Sequence, residues 1–206
     1  MEINMRSEDI EYITEKLKKK LTPGRFTHTM GVAYTAACMA MRFGEDMEKA
    51  YIAGLLHDCA KCISDEEKIK KCEQNGIEIS PSEYANPSLL HAKLGAWYAW
   101  NKYDIHDEQI CSAIRYHTTG RPAMTKLEKI IFVADYIEPN RNKAPDLDRI
   151  RNVCFENLDM GVMTIAEATL KYIENSGEAI DNMTADTFEY YSKAVNGNIA
   201  GTADQQ

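Results

Sequence analysis

The sequence predicts an all-α protein built as a single helical bundle with its functional site in the helical core. Apolar residues recur three and four positions apart along nearly the whole chain, and no segment shows the period-two alternation of a half-buried strand. The periodic segments are also bounded by recognisable helix start and stop residues. At 206 residues one well-buried core is affordable. Residues 1–195 therefore read as one domain, and the small, polar stretch 196–206 as a frayed tail.

The elements follow in order. Ser7-Glu8-Asp9 opens a first helix with Ile10, Ile13, Leu17 and Leu21 on one side, and Pro23-Gly24 interrupts it. Thr22 with Pro23 starts the second helix, which carries His28 in its first turn and runs to Gly44, a residue suited to the left-handed turn that ends helices. A third helix runs from Asp46 through AYIAGLLHDCAK; being apolar or small on most faces, it belongs at the centre, with His57, Asp58 and Lys61 at its end. Ser64 to Glu67 is a capping-box pattern opening an exposed helix that stops at Gly76, and IEISPSEYANP reads as loop. Pro87-Ser88 begins a helix carrying His91 beside Leu90, Leu94 and Trp97. The next, EQICSAIRYHTTG, has His117 near its end and Gly120 as its stop. Thr125 to Glu128, a second capping box, opens the helix that contains Asp135, which Pro139 closes. Two or three further amphipathic helices follow Asn140.

Composition excludes several function classes. A net charge of −8 disfavours a general affinity for nucleic acid or an anionic membrane, while leaving room for a local basic pocket that holds a phosphorylated small molecule. No segment has the apolar length to span a bilayer and the N-terminus lacks an apolar signal core, so a cytoplasmic location is expected. Six scattered cysteines suit reduced thiols, and the Cys59-x-x-Cys62 spacing, with no second copy, reads as two helix-packed thiols.

Asp135 sits in the otherwise apolar run IIFVADYIEP, where a lone carboxylate is costly unless it is protonated, hydrogen-bonded or bound to a cation. The five histidines supply its candidate partners. His-Asp occurs twice. His106-Asp107 lies among polar residues at a helix start and reads as solvated or capping. His57-Asp58 follows AGLL in the central helix, where both groups lose water together and need compensation. With His28, His91, His117 and Asp135, each near apolar residues on a different predicted helix, the set offers four imidazoles and two carboxylates. A lone core histidine is more often simply hydrogen-bonded. Repetition on five helices instead proposes a dinuclear site for transition ions such as iron, manganese, zinc or nickel, since magnesium favours oxygen ligands.

The blocks RFTHTMGV, AGLLHDCAK, LLHAKLGA, AIRYHTTG and KIIFVADYIEPNR resemble the HD-domain metal-dependent phosphohydrolases, and within them the YqeK-like branch of bacterial symmetrical bis(5'-nucleosyl)-tetraphosphatases. The resemblance covers roughly residues 20–190. It implies that His28, His57, Asp58, His91, His117 and Asp135 hold a di-iron type centre and that the substrate is diadenosine tetraphosphate, cut to two ADP.

Two divalent ions against two carboxylates leave a net local charge that attracts a phosphate chain, and a hydroxide bridging them is the expected nucleophile. Asp58, beside a histidine at a helix end, is the natural residue to bridge both ions. Lys61 shares a predicted helix face with His57 and Asp58, which makes it a catalytic and phosphate-binding candidate. Arg25, Thr118 and Arg141 stand close enough in sequence to ligand positions to reach substrate oxygens. Expected partners are therefore a nucleotide and no nucleic acid or membrane; a homodimer is compatible. Two other readings keep the same residues: hydrolysis of another nucleotide (a nucleoside monophosphate, a cyclic nucleotide or a guanosine alarmone), or a metal- or nucleotide-bound sensor without turnover.

Overall fold

A computed structural model describes residues 7–142, 144–176 and 181–203, and among these every regular element is helical. The α-helices are α1 Ser7–Lys20, α2 Pro23–Phe43, α3 Met47–Leu56, α4 Asp65–Gln74, α5 Pro81–Ala85, α6 Leu90–Lys102, α7 Glu108–Arg115, α8 Lys126–Ile137, α9 Leu147–Glu156, α10 Leu158–Ser176 and α11 Asn182–Ala203. A 3-10 turn, Pro87–Leu89, precedes α6.

The starts and stops have local causes. The Thr22 hydroxyl accepts from the Arg25 amide at the head of α2, and Gly44 closes that helix at φ 64°. Asp46 caps α3 by accepting from the Glu48 and Lys49 amides. Thr125 and Glu128 form the expected capping box at the head of α8. At α4 only the Ser64 half of the expected box is formed, through the Glu67 amide. His106 and Asp107 take the bland role foreseen for them: Asp107 caps α7, and His106 is exposed beside Asp104.

α2, α3, α6, α7 and α8 pack into the central bundle, with α1 against α2, α4 against α6, α9 and α10 against α8, and α11 against α10. Small residues set the spacing at its middle. Ala33, Ala36, Ala40, Ala50, Ala53 and Gly54 line the α2–α3 contact, and a Cβ on Gly54 would stand 2.8 Å from the Ala33 Cα. Leu55, Leu56, Leu94, Ile110, Ile114, Ile130 and Ile131 are fully buried around them. That apolar mass surrounds the second turn of α2, the start of α6 and the ends of α3, α7 and α8, where the four histidines and Asp135 lie.

Several expectations are corrected. His28 is in the second turn of α2, since the helix begins at Pro23. α3 ends at Leu56, so His57 is its C-cap and Asp58 to Cys62 form turns; Lys61 does not continue a helix face shared with His57. His117 likewise lies in the turns after α7. The segment read as loop contains α5, stabilised by a full Ser80–Glu83 capping box. Cys59 and Cys62 are free thiols in a turn, the first buried and the second exposed, and not a helix-packed pair. The expectation of a frayed tail at 196–206 concerns side chains that from residue 198 lie outside the described residues; the α11 backbone is helical to Ala203. No helix among the described residues is long and apolar enough to cross a membrane.

Candidate metal centre

The four histidines converge because each is aimed by a partner on its Nδ1. His57 Nδ1 donates to the Gly54 carbonyl at 2.6 Å, His117 Nδ1 to Ile114 at 2.7 Å and His91 Nδ1 to Ser88 at 2.5 Å. All three acceptors lie three residues upstream. Such carbonyls are free at helix C-termini, so the ends of α3 and α7 leave those of Gly54 and Ile114 available, and His91 draws on the 3-10 turn ahead of α6. His28 is inside α2, where the upstream carbonyls belong to the helix's own ladder. Its Nδ1 donates instead to Glu138 Oε1 at 3.0 Å, 110 positions away in sequence.

Glu138, which orients a candidate ligand, was missed by the sequence reading. Its carboxylate is buried, and Oε2 accepts from the Asn140 backbone amide at 2.7 Å and its side-chain amide at 2.9 Å. Gly31, one turn beyond His28, makes room for it: a Cβ there would overlap Glu138 Oε2 and stand 3.0 Å from Cδ. Arg151 donates to the carbonyls of Ile137, Glu138 and Arg141, fixing the segment in place. A buried acidic residue beside Pro139 carries no periodicity signal; the glycine opposite was the one clue.

With each Nδ1 protonated, every Nε2 presents a lone pair inward. Nε2 of His28 and of His57 are buried without a hydrogen-bond partner. Nε2 of His91 and of His117 face each other at 3.1 Å, and the Thr118 hydroxyl, with one proton, lies 3.2 and 3.1 Å from them. The carboxylates complete two groups. Asp58 Oδ2 is 3.3 Å from His57 Nε2 and 3.8 Å from His28 Nε2, with Asp135 Oδ1 2.9 Å from His28 Nε2. Asp58 Oδ1, on the other side, is 3.3 Å from His91 Nε2 and 3.8 Å from His117 Nε2. Ligand atoms of His28, His57 and Asp58, and separately of Asp58, His91 and His117, lie within 4.8 Å of one another. Unpaired nitrogen lone pairs facing carboxylate oxygens in a buried space form a donor set for divalent cations. The residues fit a metal.

Charge agrees. Burial pushes the His91 imidazole well below its ordinary pKa, reinforced by Lys61, and carries His117 down to about 4, reinforced by His57; both are neutral and available as ligands near pH 7. His57 moves upward, because Asp58 and Asp135 outweigh the burial that opposes it, so a proton and a cation compete for its Nε2. Burial likewise opposes ionisation of Asp58 and Asp135. The surrounding histidines overcome it at Asp58, and His28 and Arg141 at Asp135, holding both carboxyls well below the usual range.

All four basic or hydroxyl residues expected at the substrate end lie at this centre. Arg25 Nη1 donates to Asp58 Oδ2 at 2.7 Å, and Arg141 donates to the Asp135 carbonyl and to its Oδ1, both at 3.0 Å. Lys61 Nζ is 3.4 Å from the His91 ring nitrogens, with its pKa lowered by burial despite Asp58 and Asp135.

The HD domain family matches residues 25–140. A symmetrical bis(5'-nucleosyl)-tetraphosphatase of Bacillus subtilis (strain 168) is 38% identical over 182 residues, covering 88% of this chain and 95% of that protein. The enzyme of the same description from Staphylococcus aureus (strain NCTC 8325 / PS 47) is 34% identical over 186 residues, covering 89% and 95%. A crystal structure from Clostridium acetobutylicum, described as a predicted HD superfamily hydrolase involved in NAD metabolism, superposes with a TM-score of 0.88 at 37% identity and covers 93% of this chain and 100% of its own.

Proposed function

The chain belongs to the HD domain family, and from that membership and the geometry of its centre we propose that it is a metal-dependent phosphohydrolase cleaving diadenosine tetraphosphate symmetrically to two ADP. The observation that carries the reading is the position of Asp58, whose two oxygens face two different histidine groups. We assign His28, His57, Asp58 and Asp135 to one ion and Asp58, His91 and His117 to the other. Iron suits this mixed nitrogen and oxygen set, as do manganese, zinc and nickel. When bound, the ions supply an activated water near neutral pH and a positive field for the attacked phosphate.

The chain's own residues do the rest. Asp58 holds the two halves of the centre at a fixed separation, and the four Nδ1 bonds keep the imidazoles from turning. Arg25, Lys61 and Arg141 ring the Asp58 and Asp135 carboxylates and would be free to turn their hydrogen bonds to the phosphate chain with cations bound there. The Thr118 hydroxyl adds a neutral donor. With α9 and α10 packed on α8 and α11 on α10, we take residues 1–195 as one catalytic domain. The net charge of −8 favours a small nucleotide over nucleic acid or membrane, in a cytoplasmic setting.

Chromatography of the products tests the reaction. Diadenosine tetraphosphate should yield ADP alone; in oxygen-18 water, one of the two ADP molecules from each turnover should carry the label on its terminal phosphate. Equal AMP and ATP, or label absent from phosphate, would refute the reading.

A further inference from the structure

Cutting a dinucleoside tetraphosphate at its centre leaves one nucleoside diphosphate on each side of the metal centre, so two separate places must receive the nucleosides. A cavity of about 330 Å³ adjoins the His91–His117 half of the site, between α5, the start of α6, the turn after α7 and the start of α11. Thr118 belongs to both: it lines the cavity while its hydroxyl reaches the Nε2 atoms of His91 and His117. The volume is at the lower end of small-molecule sites, roughly 300–1,000 Å³. It suits one nucleoside rather than a whole dinucleotide.

Most of its charges are already answered. Lys93 pairs with Glu83 at 2.7 Å. Asp181 accepts from the Ser82 hydroxyl at 2.7 Å and the Met183 amide at 2.9 Å, so the head of α11 is capped by a carboxylate and offers nothing to an anion. The groups left over are the Asn182 carboxamide and a stack in which the Arg115 and Arg121 guanidinium groups lie 5.8 and 5.2 Å from the Tyr116 ring centroid; Arg115 forms no ion pair among the described residues. A neutral amide that both donates and accepts suits a nucleobase edge, an arginine–tyrosine stack offers the base a planar face to join, and a cation without an ion pair suits the phosphate next to its ribose.

We infer that this cavity holds one nucleoside of a dinucleoside polyphosphate and that Tyr116, Asn182 and Arg115 set the preference for a substrate with a nucleoside at both ends. The inference rests on the proposed tetraphosphatase reading. Arg115 and Asn182 are exposed, so Arg115→Ala/Asn182→Ala should fold and keep its metal.

Two measurements on metal-loaded enzyme separate the outcomes. In the first, kcat/KM for diadenosine tetraphosphate should fall about tenfold in the double variant, mainly through KM, as expected for one or two lost polar contacts. Activity on adenosine 5'-tetraphosphate, whose single nucleoside can use the other place, should change less than twofold. Equal losses on both substrates, or none, would overturn the inference. In the second, calorimetry should count two ADP per wild-type chain and one per variant chain. If wild type hydrolyses neither compound, the tetraphosphatase reading fails, and the ADP count still decides the cavity: unchanged stoichiometry and affinity in the variant would overturn it.

Discussion

Replacing Gly31 with alanine tests the support of His28 at a position that never touches a metal ligand's donor atom. The new Cβ would overlap Glu138 Oε2 and press on Asn140 Nδ2 at 3.1 Å. The carboxylate cannot simply retreat, because three hydrogen bonds fix it, to His28, the Asn140 amide and the Asn140 side chain. Displacing it weakens at least one charge-assisted bond, worth about 1.5–3 kcal/mol, and adds overpacking of about 1–3 kcal/mol. Alanine's better helix propensity returns roughly 1 kcal/mol. The net cost is about 1.5–5 kcal/mol, or a Tm lower by roughly 3–20 °C for a chain of this length. Loss of an Nδ1 partner should also weaken metal binding at the His28 group by about 10–100-fold. Thermal melts in chelator measure the first effect and metal titration the second. Gly31→Ala melting at or above wild type in chelator, with unchanged metal affinity, would show that Glu138 does not position His28.

Three further outcomes are expected. Asp135→Ala in chelator loses the contacts with both His28 and Arg141 and should melt about 1–3 kcal/mol below wild type, and elemental analysis should find fewer than two ions per chain; two ions retained in the variant would make Asp135 structural. His91→Ala should lower metal content toward one ion per chain while leaving the His28 group loaded, and loss of both ions would show that the two groups are not separable. Asp107, whose carboxyl is held below its ordinary range by Lys49 and the amides of Ile110 and Gln109 against the opposing effect of burial, should stabilise the fold above about pH 4 and lose that contribution as pH falls through its lower folded value. Denaturation midpoints of wild type and Asp107→Asn should therefore converge as pH falls from about 5 toward 3, and a gap independent of pH would refute the ionic role.

How much could be read from the chain alone depended on the range of the interaction. The six candidate ligands were legible because each placed a polar, metal-binding group in an apolar helical pattern, and Thr125–Glu128 and Gly44 were legible because caps are local. The ends of α3 and α7 were not. LLHDCAK continues a helical pattern, and nothing local in it marks the stop at Leu56 that leaves the Gly54 carbonyl to the Nδ1 of His57. Ser80–Glu83 looked like loop because proline and serine outweigh so short a helix. Glu138 was invisible because its meaning lies in a contact across 110 positions, and the tie of Arg25 to Asp58 crosses 33.

The different ways in which the imidazoles are aimed bear on the order in which the molecule can mature. His57, His91 and His117 take their orientation from carbonyls three residues upstream, so each becomes competent as soon as its own turn forms. His28 becomes competent only when the far end of α8 has docked beside Gly31 and brought Glu138 with it. A nascent chain released before residue 138 would thus carry the pair His91 and His117 ready for a cation, but an unaimed His28. Loading of the His28 group is in effect a check that α8 has been seated.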